Sequence, residues 1–207
     1  RYLDREIAKI DLLISKQIRL IELLREKRKS VITEAITKGL DPNVKMKDSG
    51  VPWLGQVPAN WTLKRLKHLG SAQIGLTYSP EDVVSDEEHG TLVLRSSNVQ
   101  QGALCYEDNV YVRTRVPAKL YIRNNDILIC SRNGSRALIG KCALVDSEAA
   151  SARYSFGAFM TVFRSDLNPY LYWYFSSSLF ESQSGSFLTS TINQLTTSNL
   201  YSMVIPM

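Results

Sequence analysis

RYLDREIAKIDLLISKQIRLIELLREKRKSVITEAITKGL, residues 1–40, contains no Pro and no Gly before Gly39, and its apolar side chains recur at heptad spacing. Leu3, Ile7, Ile10, Ile14, Gln17, Ile21, Leu24, Arg28, Val31 and Ala35 step alternately by four and three, and only Gln17 and Arg28 are polar. That is the 3.5-residue period of a left-handed coiled coil, and it predicts one long helix. Leu13, Ile18, Leu20 and Ile32 widen the apolar face beyond a single seam, so more than one partner helix is expected to cover it. Gly39, after Lys38 and before Asp41-Pro42, stands where a left-handed C-cap residue belongs. At 1.5 Å per residue the rod is roughly 55 Å long. A helix of this kind cannot bury its own stripe, so a partner outside residues 1–40 must do so, with Leu3, Ile7, Ile10, Ile14, Ile21, Leu24 and Val31 as the pairing surface.

The remaining residues have a different character. Residues 41–60, DPNVKMKDSGVPWLGQVPAN, read as an extended and turned linker, because Pro42, Pro52 and Pro58 lack amide donors and disfavour helix before them. Trp53 and Trp61 are expected to pin this linker to the body. Residues 61–207 show short β-like runs separated by turns: Ala72–Leu76, Thr91–Arg95, Val110–Val112, Ile127–Cys130, Gly140–Val145 and Phe156–Phe163. Helical stretches are expected around Pro80–Asp86 and Pro169–Ser178, with polar loop from 176 to 198. The expected fold class is mixed α/β (α+β): a coiled-coil-type N-terminal helix followed by one globular α/β domain. The abrupt start inside the helix and the end at Val204–Met207 read as a piece of a longer chain.

Composition narrows the function. The net charge is +5, with ten Lys/Arg against six Asp/Glu in residues 1–40 and fifteen against fourteen thereafter. Five of the later acids, Glu81, Asp82, Asp86, Glu87 and Glu88, share one stretch, which leaves the rest of the body basic and compatible with nucleic acid. The basic run Arg25–Lys29 is equally an ordinary solvated helix face. Cys105, Cys130 and Cys142 have no CxxC spacing, and no apolar run approaches a membrane span. The expected setting is the reducing cytoplasm, with no disulfide, no zinc and no membrane partner.

Catalytic patterns fail on inspection. Gly134 to Gly140-Lys141 has the outline of a phosphate loop, but its gap is five residues instead of four and Cys142 stands where the hydroxyl belongs. Asn168-Pro169-Tyr170 resembles the loop of adenine methyltransferases, yet one Pro is missing and no Gly-rich cofactor loop exists, so Asn168 reads as a helix N-cap. His68 and His89 have no second ligand at metal spacing.

Four loops instead carry side chains suited to double-stranded DNA. Ser131-Arg132-Asn133-Gly134-Ser135-Arg136 follows an apolar strand; Arg pairs bidentately with guanine and Asn with adenine. The competing reading is an Asn-Gly hairpin turn with solvated arginines. The other three loops are Arg95-Ser96-Ser97-Asn98; Gly75–Ser79, with Thr77 and Tyr78; and Thr189–Gln194, whose Thr189, Thr191, Asn193 and Gln194 offer uncharged groups for phosphate.

Ser49–Trp61 (SGVPWLGQVPANW), Arg25-Glu26-Lys27-Arg28, Ile36–Leu40, Asp126–Ile129 with Asn133–Ser135 and Ile139–Lys141, and Leu200–Pro206 together resemble a specificity (S) subunit of type I restriction–modification enzymes. The resemblance implies residues 1–40 as spacer and dimerisation helix, 41–60 as linker and 61–207 as target recognition domain. It departs from the family in having one spacer and one recognition domain where full subunits have two of each. It further implies a non-catalytic subunit reading half of a bipartite DNA target while the long helix sets the half-site separation. Modification (adenine methyltransferase) and restriction subunits would be its partners, with S-adenosylmethionine, ATP and Mg²⁺ bound only by them. The helix seam would pair with a second spacer helix, with a second copy as a homodimer, or with the modification subunit. The alternative is a coiled-coil adaptor whose body binds protein.

Overall fold

A computed structural model describes residues 1–188 and 193–207. Helix α1, Tyr2–Lys38, runs as one rod. Strands β1 (Met46–Asp48) and β2 (Gln56–Pro58) form an antiparallel hairpin within the linker. The body then supplies β3 (Leu63–Arg65), β4 (Ser71–Ile74), β5 (Val83–Val84), β6 (Thr91–Leu94), β7 (Val99–Gln100), β8 (Ala103–Leu104), β9 (Tyr111–Val112), β10 (Ile127–Cys130) and β11 (Cys142–Leu144). After the short helix α2 (Ser147–Ser151) come β12 (Ser155–Phe156), β13 (Met160–Arg164), α3 (Asn168–Phe175), α4 (Ser178–Phe187), α5 (Thr197–Ser202) and β14 (Val204–Pro206).

Two four-stranded sheets form the frame. The first has the order β11-β10-β13-β4 and is antiparallel throughout; the second has the order β12-β6-β9-β5, with β12 parallel to β6. All four residues of β10 are buried because both faces of its sheet are covered. Ile127 and Ile129 pack in one core with Leu171, Tyr174, Phe175 and Phe180 of the helices, and Ile36 of α1 joins them. Leu128 and Cys130, pointing the other way, join Val93, Leu94 and Phe156 in the second core. The body is thus layered as helices, first sheet and second sheet. Pairing of β14 with β3 returns residue 207 to residue 62, where the body begins: Thr62 N–H donates to Met207 O at 2.7 Å.

Among the described residues, the rod meets the body along its last third. Lys29 pairs with Glu181, the Arg28 guanidinium lies 5.9 Å from the Trp173 ring centre, and Thr33 Oγ1 accepts from the Ser178 amide at 2.9 Å. Of α1, only Ile32 and Ile36 are buried. The apolar side chains before them are exposed, from 45% at Leu23 to 76% at Tyr2.

Several local expectations are corrected. Gly39 has φ 82° and ψ −176°, a positive-φ stop outside the left-handed helical region, and its N–H still donates to Ala35 O at 3.0 Å. Pro80–Asp82 makes only a 3₁₀ turn, with Ser79 and Asp82 as a capping box, because Val83-Val84 is drawn into pairing with β9. The Phe156–Phe163 run is two strands on different sheets, broken at residues 157–159. The polar stretch after 176 contains α4, started by Ser177 Oγ accepting from Phe180 N–H. Trp53 stands 54% exposed, whereas Trp61 packs beside Gly39. Asn168 is not the cap of α3, which is Leu167. The Asn168 amide is buried instead and donates to Asn125 O and Phe163 O at 2.8 and 2.7 Å, tying α3 to the first sheet.

Candidate nucleic-acid interface

Three of the four loops, and Asn193-Gln194 of the fourth, meet at one edge where the two sheets adjoin. The chain crosses between sheets at Gly157-Ala158-Phe159: Gly157 N–H donates to Leu94 O of β6 at 2.9 Å, and Leu76 N–H to Phe156 O at 2.7 Å. The approach is so close that a Cβ on Gly75 would lie 2.2 Å from Gly157 O, so only glycine fits there. The result is a cleft of about 560 Å³. Thr77, Tyr78, Arg95, Ser96, Ser97 and Asp108 line it together with the 157–160 turn.

The Ser131–Arg136 loop is fastened to the rim of this cleft. Arg132 N–H and Ser131 N–H both donate to Phe159 O at 3.0 Å, and the Arg132 guanidinium lies 5.2 Å from the Phe159 ring centre. Asn133 Nδ2 donates to Ser96 Oγ at 3.1 Å, and Lys141 Nζ to Ser96 O at 3.0 Å. The fourth loop joins from the far side: Gln194 bridges Arg132 in antiparallel fashion, Leu195 N–H donates to Ser131 O at 2.7 Å, and Asn193 Nδ2 to Gly134 O at 3.3 Å. Thr189 and Thr191 lie outside the described residues.

Position separates the candidates into two kinds. Arg132, Thr77, Gly134 and Ser135 are exposed, and Tyr78 and Asn133 half so. Asn98 is not available to read a base. It is fully buried, its Oδ1 accepts from Arg95 N–H at 2.9 Å, and its Nδ2 donates to Cys105 O, Asp108 O and Asn109 Oδ1. Ser131 is likewise structural: its Oγ donates to Phe159 O at 3.1 Å and accepts from Thr161 Oγ1 at 2.9 Å. Arg95 is already paired with Asp108 at 2.9 Å, and Arg136 donates to Gly185 O of α4 at 3.1 Å, outside the cleft lining. The 131–141 connection is no two-residue hairpin but a long loop with a 3₁₀ turn at Arg136–Leu138.

Phe159 and Lys141 are the rim residues that side-chain chemistry alone passed over. A glycine interrupting an apolar strand, as in Phe156-Gly157-Ala158-Phe159, was the available signal. Burial raises the Cys130 thiol and pushes Cys142 up to about 12, so both are inert thiols at neutral pH. The Asp86 carboxylate is held low by His89, whose Nδ1 lies 2.6 Å away, an exposed local pair. Among the described residues no cluster of His, Cys, Asp or Glu has metal-binding geometry, and no helix is long and apolar enough to cross a membrane.

Comparison with solved structures places this architecture. A chain from work on the complex assembly and conformational transition of the type I restriction–modification system matches 98% of this chain and 46% of its own length, with TM-score 0.55 and 15% identity. The HsdS subunit of Thermoanaerobacter tengcongensis matches 98% of this chain and 45% of its own, with TM-score 0.54 and 14% identity. The fold is therefore that of type I specificity subunits, a long helix leading into a mixed α/β body. The chain spans less than half the length of the solved chains it matches. No protein-family model and no curated protein matches the sequence.

Proposed function

We propose that this chain is a sequence-recognition piece of a type I restriction–modification specificity subunit, reading one half of a bipartite DNA target through the cleft rim. The observation that carries this is the convergence of three loops with Asn193-Gln194 of the fourth. Arg132, Asn133, Thr77, Tyr78 and Gln194 come from distant parts of the chain onto one edge of a body with the S-subunit fold. The exposed Arg132 guanidinium on a braced frame suits base-edge reading. The half-buried Asn133, now bonded to Ser96 Oγ and the Ser135 amide, is available to a base by exchange of those bonds, while uncharged neighbours such as Ser135 and Asn193 suit phosphate positioning. Such a subunit is non-catalytic. Methylation and cleavage belong to modification and restriction subunits that dock on it in the cytoplasm and bind S-adenosylmethionine, ATP and Mg²⁺.

Energetics fit a half-site reader. A few base contacts worth roughly 1–3 kcal/mol each do not select one site in a genome. Two such domains held apart by a rigid rod do, because the second binds at high effective concentration once the first is placed. The exposed seam of α1 is the surface for that pairing, with a second spacer helix or a second copy of this chain against it. The test is a methylome: the native protein is expressed with its modification subunit in a methylation-free host, and modified adenines are mapped. A bipartite motif with a fixed gap is expected. A co-purifying complex that modifies no adenine would overturn the recognition role.

A further inference from the structure

Phe159 is 57% exposed, and yet its turn is firmly held. Its carbonyl oxygen accepts from Ser131 N–H and Arg132 N–H at 3.0 Å each and from Ser131 Oγ at 3.1 Å. Gly157 N–H is bonded to Leu94 O, and Met160 N–H to Gly157 O at 2.8 Å. A large aromatic ring is therefore kept in water on a rigid mount between two sheets. The other exposed aromatics of the body stand elsewhere: Trp173 under Arg28 of the rod, Tyr106 against Tyr154. Only Phe159 belongs to the cleft, with Tyr78 also in the wall and the Arg132 guanidinium over its ring.

We propose that Phe159 is a stacking wedge that inserts against a base of the recognised half-site at a step the protein unstacks. This rests on the reading of the cleft as the DNA-facing edge. Every base offers a π-face to an aromatic ring, and apolar side chains of this kind part base steps in known DNA complexes. Arg132 covers the ring in the free protein through an exposed cation–π contact, which is weak enough to exchange for a base. On exchange its guanidinium is released beside the opened step, in reach of a guanine edge or a phosphate. The rigid turn matters because a wedge that yields under load cannot unstack a step. A wedge also adds specificity without a hydrogen bond, since pyrimidine–purine steps unstack more readily than others.

The experiment uses the whole native complex on a duplex carrying its mapped target, with the fluorescent base 2-aminopurine placed at each half-site position in turn. Wild type is compared with Phe159→Ala, Phe159→Leu and Phe159→Tyr. A rise in fluorescence is expected at one step for wild type, retained by Tyr, partly kept by Leu and abolished by Ala. Affinity should fall roughly 5- to 150-fold for the Ala variant, the range that loss of one base–aromatic stack gives. An unchanged melting temperature, expected for an exposed side chain, shows that the variant folds. No position-dependent rise in wild type, or a rise that survives Phe159→Ala, overturns the wedge. So does loss of the modification subunit from the Ala complex, which would assign Phe159 to a protein contact. Absence of any target-specific binding by wild type defeats the recognition reading itself, whereas specific binding indifferent to Phe159 defeats the wedge alone.

Discussion

The rod and the body treat apolar side chains in opposite ways. In α1 every Leu and Ile before Ile32 is exposed, whereas the body encloses β10, β13 and the faces of α3 and α4 in two continuous cores. Polar groups show the same contrast. The rod carries exposed ion pairs such as Glu6–Lys9 and Arg19–Glu22, each worth little in water. The body buries Asp126 at 3% exposure and satisfies it with the Arg164 guanidinium and the Arg123 amide at 2.8–3.1 Å. The body encloses its apolar side chains, and the rod leaves its own exposed.

That contrast breaks if substitutions in one region are felt in the other. Replacing Ile14 and Ile21 together by Asp should abolish self-association or partner pairing. Burial of an Ile is worth about 1.5–3 kcal/mol, so the pair is worth roughly 3–6 kcal/mol. The body's melting temperature should not move. Size-exclusion chromatography with light scattering decides; an unaltered elution volume means that these side chains pair with nothing. Arg164→Ala should do the reverse. It leaves Asp126 buried without its cation, at a cost of about 3–5 kcal/mol, or roughly 6–20 °C in thermal unfolding, with helix pairing intact.

Within the body, two neighbouring asparagines sharpen the division between frame and reader. Asn98→Ala should lower stability by roughly 1–3 kcal/mol through its orphaned partners, with the recognised sequence unchanged wherever the protein still folds. Arg132→Ala should leave the melting curve in place. Asn133→Ala should lower it less than Asn98→Ala does, because only its bonds to Ser96 Oγ and the Ser135 amide are lost. Each should relax the methylated motif by about 1–3 kcal/mol of discrimination at one position. Uniform weakening across all sequences would move them to phosphate contacts. The smallest effect expected is chemical: with their thiols raised by burial, Cys130 and Cys142 should resist iodoacetamide at neutral pH. Half-buried Cys105 should be labelled first, as read by mass spectrometry.

Local pattern reached some of this structure and missed the rest for physical reasons. The continuous apolar run at Ile127–Cys130 fits a strand covered on both faces, and no neighbour contradicts it. Helix α4 was hidden because SLFESQSGSF has poor intrinsic helix preference. Leu179, Phe180 and Ser184, buried against the body, hold it. Pro80–Asp82 has every local mark of a helix start, but cross-strand pairing of Val83-Val84 competes and wins. Asn98 and Arg132 look alike as candidate readers in sequence, because side-chain type states what a group can bond to and not whether its bonds are already made.

By itself the sequence determined the rod, since a heptad period over nearly forty residues has one low-energy backbone solution and sets an apolar stripe along it. It also determined which loops carry side chains of the type that can bond to base edges. Tertiary structure alone decided which of those side chains are exposed and which are already bonded, and set Phe159 beside Arg132. Both depend on the crossing of two sheets at Gly157, a contact between segments too distant in the chain for local pattern to register.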